Sequence, residues 1–271
     1  MLPPKLQAER GVPLITGRST QDRRDVEPAE VLYLNLMKLC LTGVLTLDPN
    51  LLSNEETAGE NLRNDGRDWP LTAETMIGLV RLDNLQACIV DVLDRGVRGD
   101  LVETGVWRGG AAIFMRAVLE AYADRDRVVW VADSFRGVPP PDPASFPADA
   151  DSELWTYDAL AVPLEEVRHN FERYGLLDDQ VRFLPGWFRD TLPSAPIERV
   201  SVLRLDGDLY ESTIVALRSL YPKLSTGGYV IVDDFALQGC REAVQDFRSE
   251  NAITEEIQSV DWTGVYWMKL S

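Results

Sequence analysis

Histidine is nearly missing from this chain of 271 residues, in which His169 is the only one. It lies off the apolar stripe of a predicted helix, so we expect it at the surface. The sequence therefore gives no basis for a Ser/His/Asp or Cys/His catalytic set, or for a Cys/His zinc site. General-base work in an enzyme built on this chain falls to a carboxylate.

Cysteine is scarce as well. The three cysteines, Cys40, Cys88 and Cys240, are widely spaced and odd in number, and each stands among apolar neighbours. This pattern is typical of buried, reduced thiols rather than of a disulfide framework.

Long hydrophobic runs and an excess of positive charge are also missing. No stretch approaches the roughly 20 apolar residues of a membrane span, and the first residues lack the apolar core of a signal peptide. The 27 basic and 44 acidic residues leave a net charge of −17. Such a charge repels phosphate backbones and anionic membranes. We therefore expect a cytoplasmic protein with no nucleic-acid partner and no membrane partner.

The length suits one large α/β domain with an N-terminal addition. Residues 1–70 are predicted to form this addition: a polar arm, an apolar helix that follows Pro28, and an irregular segment over residues 48–70. Long irregular segments in enzymes are often lids, and Trp69 favours that interpretation here.

Residues 71–271 are predicted to form the main domain. Its first helix is expected to start at the N-cap Thr72 and to end at Gly96. Short apolar runs then alternate with helical patterns, which indicates a mostly parallel sheet with helices on both faces. The last two strands, joined through Asp261, indicate an antiparallel hairpin at the end of the sheet. The predicted strands are residues 100–103, 128–132, 181–184, 202–206, 229–232, 254–260 and 264–270, and the helices among them are 110–123, 163–174, 211–223 and 240–250.

A glycine turn follows the first of these strands in Asp100-Leu-Val-Glu-Thr-Gly-Val-Trp-Arg-Gly-Gly-Ala-Ala. A strand that ends in such a turn and opens a helix presents backbone N–H groups to a nucleotide-like ligand. Gly105 frees the turn, while Gly109 and Gly110 permit a close backbone approach. The spacing differs from the dinucleotide fingerprint Gly-x-Gly-x-x-Gly, which disfavours a nicotinamide-dependent oxidoreductase. Glu103 suits a ligand with hydroxyls or a cationic group.

Aspartates follow two later strands. Asp206 and Asp208 come after one of them, and Asp233 and Asp234 come after the next. Because the carboxyl ends of parallel strands meet at one edge of a sheet, we expect these side chains to lie together. Clustered carboxylates are costly unless something positive joins them, and a hard divalent cation is an economical partner. The alternative is that one or two of them cap helices while the rest face water.

Other residues at the same edge suit a nucleoside. Asp133, which follows the second strand, is placed to hold two ribose hydroxyls, with a helix-cap or turn acid as the alternative. Gly186 and Trp187 follow the third strand and could border a flat base, although such a tryptophan is more often a core or interface residue. The proline-rich and aromatic segment over residues 136–160 is a second candidate lid, with a disordered loop as the alternative.

The chain resembles the macrocin O-methyltransferase family over about residues 66–250. Long motifs carry the resemblance. They are Gly66-Arg-Asp-Trp-Pro, Thr75-Met-Ile-Gly, Arg81-Leu-Asp-Asn, Val102-Glu-Thr-Gly-Val-Trp-Arg-Gly-Gly, Ala132-Asp-Ser-Phe-Arg-Gly-Val-Pro-Pro-Pro, Phe171-Glu-Arg-Tyr-Gly-Leu-Leu-Asp, Leu184-Pro-Gly-Trp-Phe, Leu203-Arg-Leu-Asp-Gly-Asp-Leu-Tyr-Glu-Ser and Gly227-Gly-Tyr-Val-Ile-Val-Asp-Asp.

The resemblance implies a class I methyltransferase, with a Rossmann-like α/β sheet, over residues 71–271. It implies S-adenosylmethionine and Mg²⁺ as cofactors, and Asp208 as the catalytic base with Asp206 as the second candidate. The implied metal ligands are Asp206, Asp233 and Asp234. The implied cofactor-binding residues are Thr75, Met76, Glu103, Thr104, Gly105, Arg108, Gly109, Asp133, Ser134, Gly186 and Trp187.

The implied activity is methylation of a deoxysugar hydroxyl on an antibiotic or related glycosylated small molecule. Chelation of two adjacent hydroxyls by Mg²⁺ would raise their acidity, and a carboxylate could then take the proton. Because a catechol also offers two neighbouring oxygens, a catechol-type O-methyltransferase acting on a small aromatic acceptor is the alternative. A non-catalytic cofactor-binding protein is a third hypothesis.

Two features concern the acceptor and the assembly. Residues 151–161 contain Trp155 and Tyr157 where several relatives place histidines, so a histidine base from this loop is excluded and the acceptor could differ. The apolar N-terminal helix and the two lid segments favour a homo-oligomer, a dimer or larger.

Overall fold

The computed structural model describes residues 28–51 and 60–271. The predicted N-terminal arm, and residues 52–59 of the first lid segment, lie outside the described residues.

One sheet of seven strands organises the described part of the chain. The strand order is β3-β2-β1-β4-β5-β7-β6. Strands β1 to β5 pair in parallel, whereas β7 is antiparallel to both β5 and β6. The predicted parallel sheet that ends in an antiparallel hairpin is thus confirmed. The strands are β1 Asp100–Thr104, β2 Val129–Asp133, β3 Val181–Pro185, β4 Val200–Leu205, β5 Leu224–Val232, β6 Gln258–Ser259 and β7 Val265–Met268.

Helices cover both faces of this sheet, and each face has its own apolar cluster. One cluster combines β1 with α1, α3, α4 and α5, and the other combines β4 and β5 with α7 and α8. The helices are α1 Ala29–Leu41, α2 Glu60–Asn64, α3 Gly78–Asp94, α4 Gly110–Ala121, α5 Leu164–Arg173, α6 Phe188–Thr191, α7 Tyr210–Leu220 and α8 Gln238–Glu250. Short 3₁₀ helices lie at Pro147–Asp149, Leu154–Thr156, Asp158–Leu160, Leu192–Ser194 and Tyr221–Lys223.

The central strands are apolar because both of their faces are covered. All six residues of β4 are buried, as are the last four of β1. Strands packed between two helical layers lose the alternation of a half-exposed strand and become continuous apolar runs. Arg204, the last residue but one of β4, is therefore unusual, because it is a charged residue in such an apolar strand.

The N-terminal helix α1 packs onto the main domain. Leu34 and Leu41 are fully buried and share one apolar cluster with Leu82 and Leu85 of α3. Burial of side chains of this size stabilises a fold by roughly 1.5–3 kcal/mol each. The helix therefore belongs to the same hydrophobic core as the residues around β1.

The helix that was expected to start at Thr72 starts at Gly78, so that prediction is wrong. The backbone N–H and the hydroxyl of Thr72 donate to the Asp48 carboxylate at 2.8 and 2.7 Å. The N–H groups of Glu74 and Thr75 both donate to the Leu41 carbonyl, at 3.1 and 3.0 Å. These contacts with the N-terminal segment hold residues 72–75 outside a helix, which begins only three residues further on.

The first strand of the hairpin is also shorter than expected, with Gln258–Ser259 in place of residues 254–260. The Glu255 carbonyl accepts a hydrogen bond from Arg248, and its carboxylate accepts the Leu270 N–H at 3.1 Å. These contacts of Glu255, rather than the hydrogen bonds of a strand ladder, hold the first residues of the predicted strand. Among the described helices, none has the length and hydropathy required to cross a membrane.

Gly105 is where the glycine turn and β4 come closest. Its φ is +83°, and a Cβ added there would lie 1.6 Å from the Asp206 carbonyl oxygen. Gly110 also lies against the chain, because a Cβ there would lie 2.6 Å from the Glu74 carbonyl. These two glycines therefore allow other segments of the same chain to pass against the turn.

We expect Gly105→Ala to destabilise the protein far more than Gly175→Ala, as measured by urea unfolding. Both positions have a positive φ, which costs an alanine roughly 1–2 kcal/mol. Gly175, at +68°, has no atom within 4 Å of its added Cβ, so only Gly105→Ala adds a backbone overlap. Equal losses for the two variants would contradict this account of the turn.

Candidate active site

A cavity of about 300 Å³ lies beyond the carboxyl ends of the parallel strands. This is the edge at which open α/β sheets bind their ligands. Most of the predicted site residues line it, namely Thr75, Met76, Glu103, Gly105, Asp133, Ser134, Trp187, Asp206, Asp208, Asp233 and Asp234. The residue set that the sequence indicated is thus largely brought to one place.

Four of the predicted cofactor-binding residues, Thr104, Arg108, Gly109 and Gly186, do not belong to the lining. The Arg108 guanidinium donates to the carbonyls of Pro70 and Ala73 at 3.2 and 3.0 Å, and so holds the first lid segment. Thr104 is 1% exposed. Gly109 has a φ of +88° at the start of α4, and the Gly186 N–H donates to the Asp133 carbonyl at 2.9 Å.

The predicted aspartate cluster forms at the ends of β4 and β5. One carboxylate oxygen each from Asp206, Asp233 and Asp234 lies within 4.8 Å of the other two. Asp208 stands in the loop after β4 with a φ of +60°, and its N–H donates to Asp234 Oδ2 at 3.1 Å. The carboxylates of this set therefore lie close to one another in the cavity, as the sequence predicts.

Two guanidinium groups lie among these carboxylates, and the sequence analysis missed both. Arg204 donates to Glu103 Oε1 at 2.5 Å, to Asp206 Oδ2 at 2.8 Å, and to Asp233. Arg81 of α3 donates to Asp233 as well. A signal existed, because an arginine inside a continuous apolar strand must be paired with acids when it is buried.

Carboxyl groups outnumber guanidinium groups at the site. Five carboxyl groups, those of Glu103, Asp206, Asp208, Asp233 and Asp234, line the cavity together with the two guanidinium groups. Burial, reinforced by neighbouring carboxylates, raises the pKa of Asp208 to about 7. Burial also raises the pKa of Glu103 to about 8 despite Arg204. A buried site that pushes acid pKa values upward favours occupancy by a cation.

Backbone N–H groups hold the carboxylate of Asp133. Its Oδ2 accepts the Val106 N–H at 2.8 Å, and its Oδ1 accepts the Phe135 N–H at 2.6 Å. Oδ1 also accepts the Ser134 hydroxyl at 3.4 Å. A carboxylate has about four lone pairs, so it can accept from a ligand hydroxyl as well. Burial raises the pKa of this carboxyl. The glycine turn and the loop after β2 thus fix its orientation towards the cavity.

Both predicted lid segments reach the cavity and touch each other. The rings of Trp69 and Tyr157 meet edge to face with centroids 5.5 Å apart. Trp107, in the glycine turn, donates its Nε1–H to the Ala159 carbonyl at 2.8 Å. The indole of Trp262, from the hairpin, also lines the cavity. Segments from three parts of the chain therefore wall the space beyond the aspartates.

Outside the cavity, the expectations for histidine and cysteine are largely confirmed. The His169 side chain is 67% exposed on α5. All three cysteines are free, and Cys88 and Cys240 are buried while Cys40 is partly exposed. These groups leave the carboxylates as the candidate acid–base groups of the cavity.

The strand order, with β7 antiparallel between β5 and β6, and a cavity beside the glycine turn define a class I methyltransferase. The macrocin-O-methyltransferase (TylF) family matches residues 15–269, and the chain belongs to this family. It is an S-adenosylmethionine-dependent O-methyltransferase.

Two relatives are similar over most of their length. A tetracenomycin-pathway enzyme of Streptomyces olivaceus, 8-demethyl-8-(2,3-dimethoxy-alpha-L-rhamnosyl)-tetracenomycin-C 4'-O-methyltransferase, is 56% identical over 92% of this chain and 94% of its own. Demethyldecarbamoylnovobiocin O-methyltransferase of Streptomyces niveus is 52% identical over 88% of this chain and 93% of its own. Among solved structures, the O-methyltransferase NovP is 52% identical and superposes with a TM-score of 0.86 over 89% of this chain and 100% of its own.

We expect the metal-free protein to lose thermal stability as the pH rises from about 5 towards 8. The pKa of Glu103 is raised from 4.5 to about 8, and that of Asp208 from 3.8 to about 7. In this window the native state holds more protons than the unfolded chain, so the free energy of unfolding falls as these protons are lost.

Melting temperatures measured in chelator across this range test the prediction. Glu103→Gln removes one of the raised groups and should flatten the curve. A melting temperature that rises with pH in chelator would contradict the assignment of these shifts.

Proposed function

We propose that this enzyme is an S-adenosylmethionine- and Mg²⁺-dependent O-methyltransferase that methylates a hydroxyl of a deoxysugar on a glycosylated natural product. The observation that carries the proposal is the cluster of Asp206, Asp233 and Asp234 beside the glycine turn, in one cavity. The relative named for a rhamnosyl-tetracenomycin supports the acceptor class, and a second relative is named for a novobiocin compound.

The cofactor residues of this proposal surround the glycine turn. Thr75 and Met76 lie on the segment that crosses the turn, where the Gly110 N–H donates to the Glu74 carbonyl at 2.9 Å. Asp133 would accept the ribose hydroxyls, and Ser134 and Trp187 would lie beside the adenosine. Glu103 would face the methionine part, where the cofactor carries an ammonium and a sulfonium. The carboxyl oxygens of Glu103 can accept hydrogen bonds from the ammonium.

The residues present fit Mg²⁺. Asp206, Asp233 and Asp234 offer hard oxygen ligands within 4.8 Å of one another. Burial, and after it the neighbouring carboxylates, raises the pKa values of Asp206 and Asp234. A bound cation would favour the ionised forms of both groups. Mg²⁺ prefers carboxylate oxygens with water in the remaining positions, and bound there it would raise the acidity of two chelated acceptor hydroxyls.

Asp208 is placed to take the acceptor proton. It lines the cavity, follows the metal-candidate Asp206 by two residues, and is fixed through its own N–H to Asp234. Methyl transfer from a sulfonium needs an acceptor oxygen in line with the leaving sulfur, so positioning supplies much of the rate. Asp208 would remove the proton as the carbon–oxygen bond forms, and Asp206 is the second candidate for this step.

The outer wall would receive the acceptor. It is lined by Trp69, Leu154, Leu160 and Trp262. Apolar and aromatic surfaces of this kind pack on sugar rings and on aglycones, and they exclude water.

Two expectations from the sequence stay predictions: that the protein forms a homo-oligomer, and that the main domain begins after residue 70.

The first experiment is calorimetric titration of S-adenosylmethionine, followed by methyl transfer to a set of deoxysugar glycosides and catechols, with Mg²⁺ and with chelator. We expect cofactor binding, and turnover on glycosides that chelator abolishes. Turnover that survives chelation would remove the metal from the proposal. Turnover on catechols alone would replace the acceptor class, and no cofactor binding would overturn the proposed function.

Asp208→Asn tests the base. We expect turnover to fall by about 10²–10⁴-fold, the usual contribution of a general base, while S-adenosylmethionine binds as before. The matched control is Asp126→Asn, because Asp126 is exposed at the amino end of β2, away from the cavity. If Asp208→Asn turns over as fast as the unchanged protein, Asp208 is not the catalytic base, and Asp206 becomes the candidate.

A further inference from the structure

The side chain of Arg204 connects three strands of the sheet at the cavity. It is 1% exposed. One nitrogen, Nη1, donates to Glu103 at the end of β1 and to Asp206 after β4. The other, Nη2, donates to Asp233 after β5. A guanidinium holds its donors in one rigid plane, so these contacts fix the carboxylates relative to each other.

Asp233 is held on both oxygens. Arg204 contacts Oδ1 and Arg81 contacts Oδ2. Its backbone carbonyl accepts the hydroxyl of Thr263 at 3.0 Å. With all these groups engaged, the carboxylate has a single orientation in the cavity.

Arg81 is in turn held by the C-terminal hairpin. Its Nε lies 3.0 Å from Asp261 Oδ2, in the turn between β6 and β7. The other oxygen of Asp261 accepts the N–H groups of Thr263 and Gly264, at 3.0 and 2.7 Å. A continuous set of contacts therefore runs from the hairpin, through α3, to Asp233.

Such an arrangement is unfavourable for the free energy of folding. Two buried guanidinium groups must be desolvated, and apolar side chains of similar volume often stabilise a fold as well or better. Their positive charge also opposes a cation at the neighbouring carboxylates. If the two arginines favour cation binding, they do so by orienting the carboxylates, because their positive charge repels a cation.

We propose that Arg204 and Arg81 are positioning residues for the metal site: they hold the carboxylates of Asp206 and Asp233 in the orientation that binds one divalent cation. This inference rests on the proposed function, which places Mg²⁺ on Asp206, Asp233 and Asp234. Groups that orient metal ligands typically change metal affinity by about 10–100-fold when they are replaced.

Lysine variants separate geometry from charge. Arg204→Lys keeps the positive charge, but a single ammonium cannot reproduce the planar contacts with three carboxylates. Arg81→Lys is the second variant, at the cavity rather than inside the sheet, in case Arg204→Lys fails to fold. The control is Arg116→Lys on α4. Arg116 is equally buried, with its side chain 3% exposed, and it pairs with Glu120 and Asp178 rather than with the cavity aspartates.

The measurement is titration of each purified protein with Mn²⁺ alone, with free Mn²⁺ counted by electron paramagnetic resonance and the folded state checked by thermal unfolding. We expect one Mn²⁺ in the unchanged protein, and about 10–100-fold weaker binding in Arg204→Lys and Arg81→Lys. Arg116→Lys should bind as the unchanged protein does, even where its melting temperature falls. Turnover of the two site variants should recover in part at high Mg²⁺.

Folded Arg204→Lys or Arg81→Lys with unchanged Mn²⁺ affinity would overturn the positioning role and leave the proposed function standing. Tighter binding in Arg204→Met would also overturn it, because charge opposition would then outweigh geometry. Failure of the unchanged protein to bind Mn²⁺ would overturn the metal part of the proposed function, and this inference with it.

Discussion

The buried guanidinium of Arg204 is the contact on which the edge of the sheet at the cavity depends. Three carboxylates from three adjacent strands, Glu103, Asp206 and Asp233, converge on it. Without a positive group between them, like charges in a medium of low dielectric constant would repel each other or bind protons. The same contact joins the proposed cofactor side of the cavity, at Glu103, to the proposed metal side, at Asp206 and Asp233.

The absence of side chains at the glycine turn is the second constraint. Gly105 lets β4 pass against the turn, and Gly110 lets residues 72–75 pass on the other side. The buried side chain of Glu74 accepts hydrogen bonds from the hydroxyl of Tyr174 at 2.8 Å and from Arg173 Nη1 at 3.1 Å. These contacts connect the crossing segment to the end of α5. The proposed cofactor site is thereby built from the N-terminal segment as well as from the parallel sheet.

Much of this arrangement could be predicted from the sequence. Strand and helix periodicity, the glycine turn, and the rule that ligands bind beyond the carboxyl ends of parallel strands together indicated the fold and brought Asp206, Asp233 and Asp234 to one edge. Thr72 shows where such prediction fails. Its N-cap pattern is sound locally, but hydrogen bonds to Asp48, far away in the chain, outweigh the local preference.

The sequence by itself determined the order of strands and helices, the glycine turn, the acidic strand ends and the family resemblance, because each depends on neighbouring residues or on a topological rule. Only the tertiary structure decided which guanidinium groups pair with the carboxylates and where α3 begins. It also decided that the ring of Trp69 contacts the ring of Tyr157. These are contacts between segments distant in the chain. Their geometry depends on how the whole core packs, so it cannot be predicted from any short stretch of sequence.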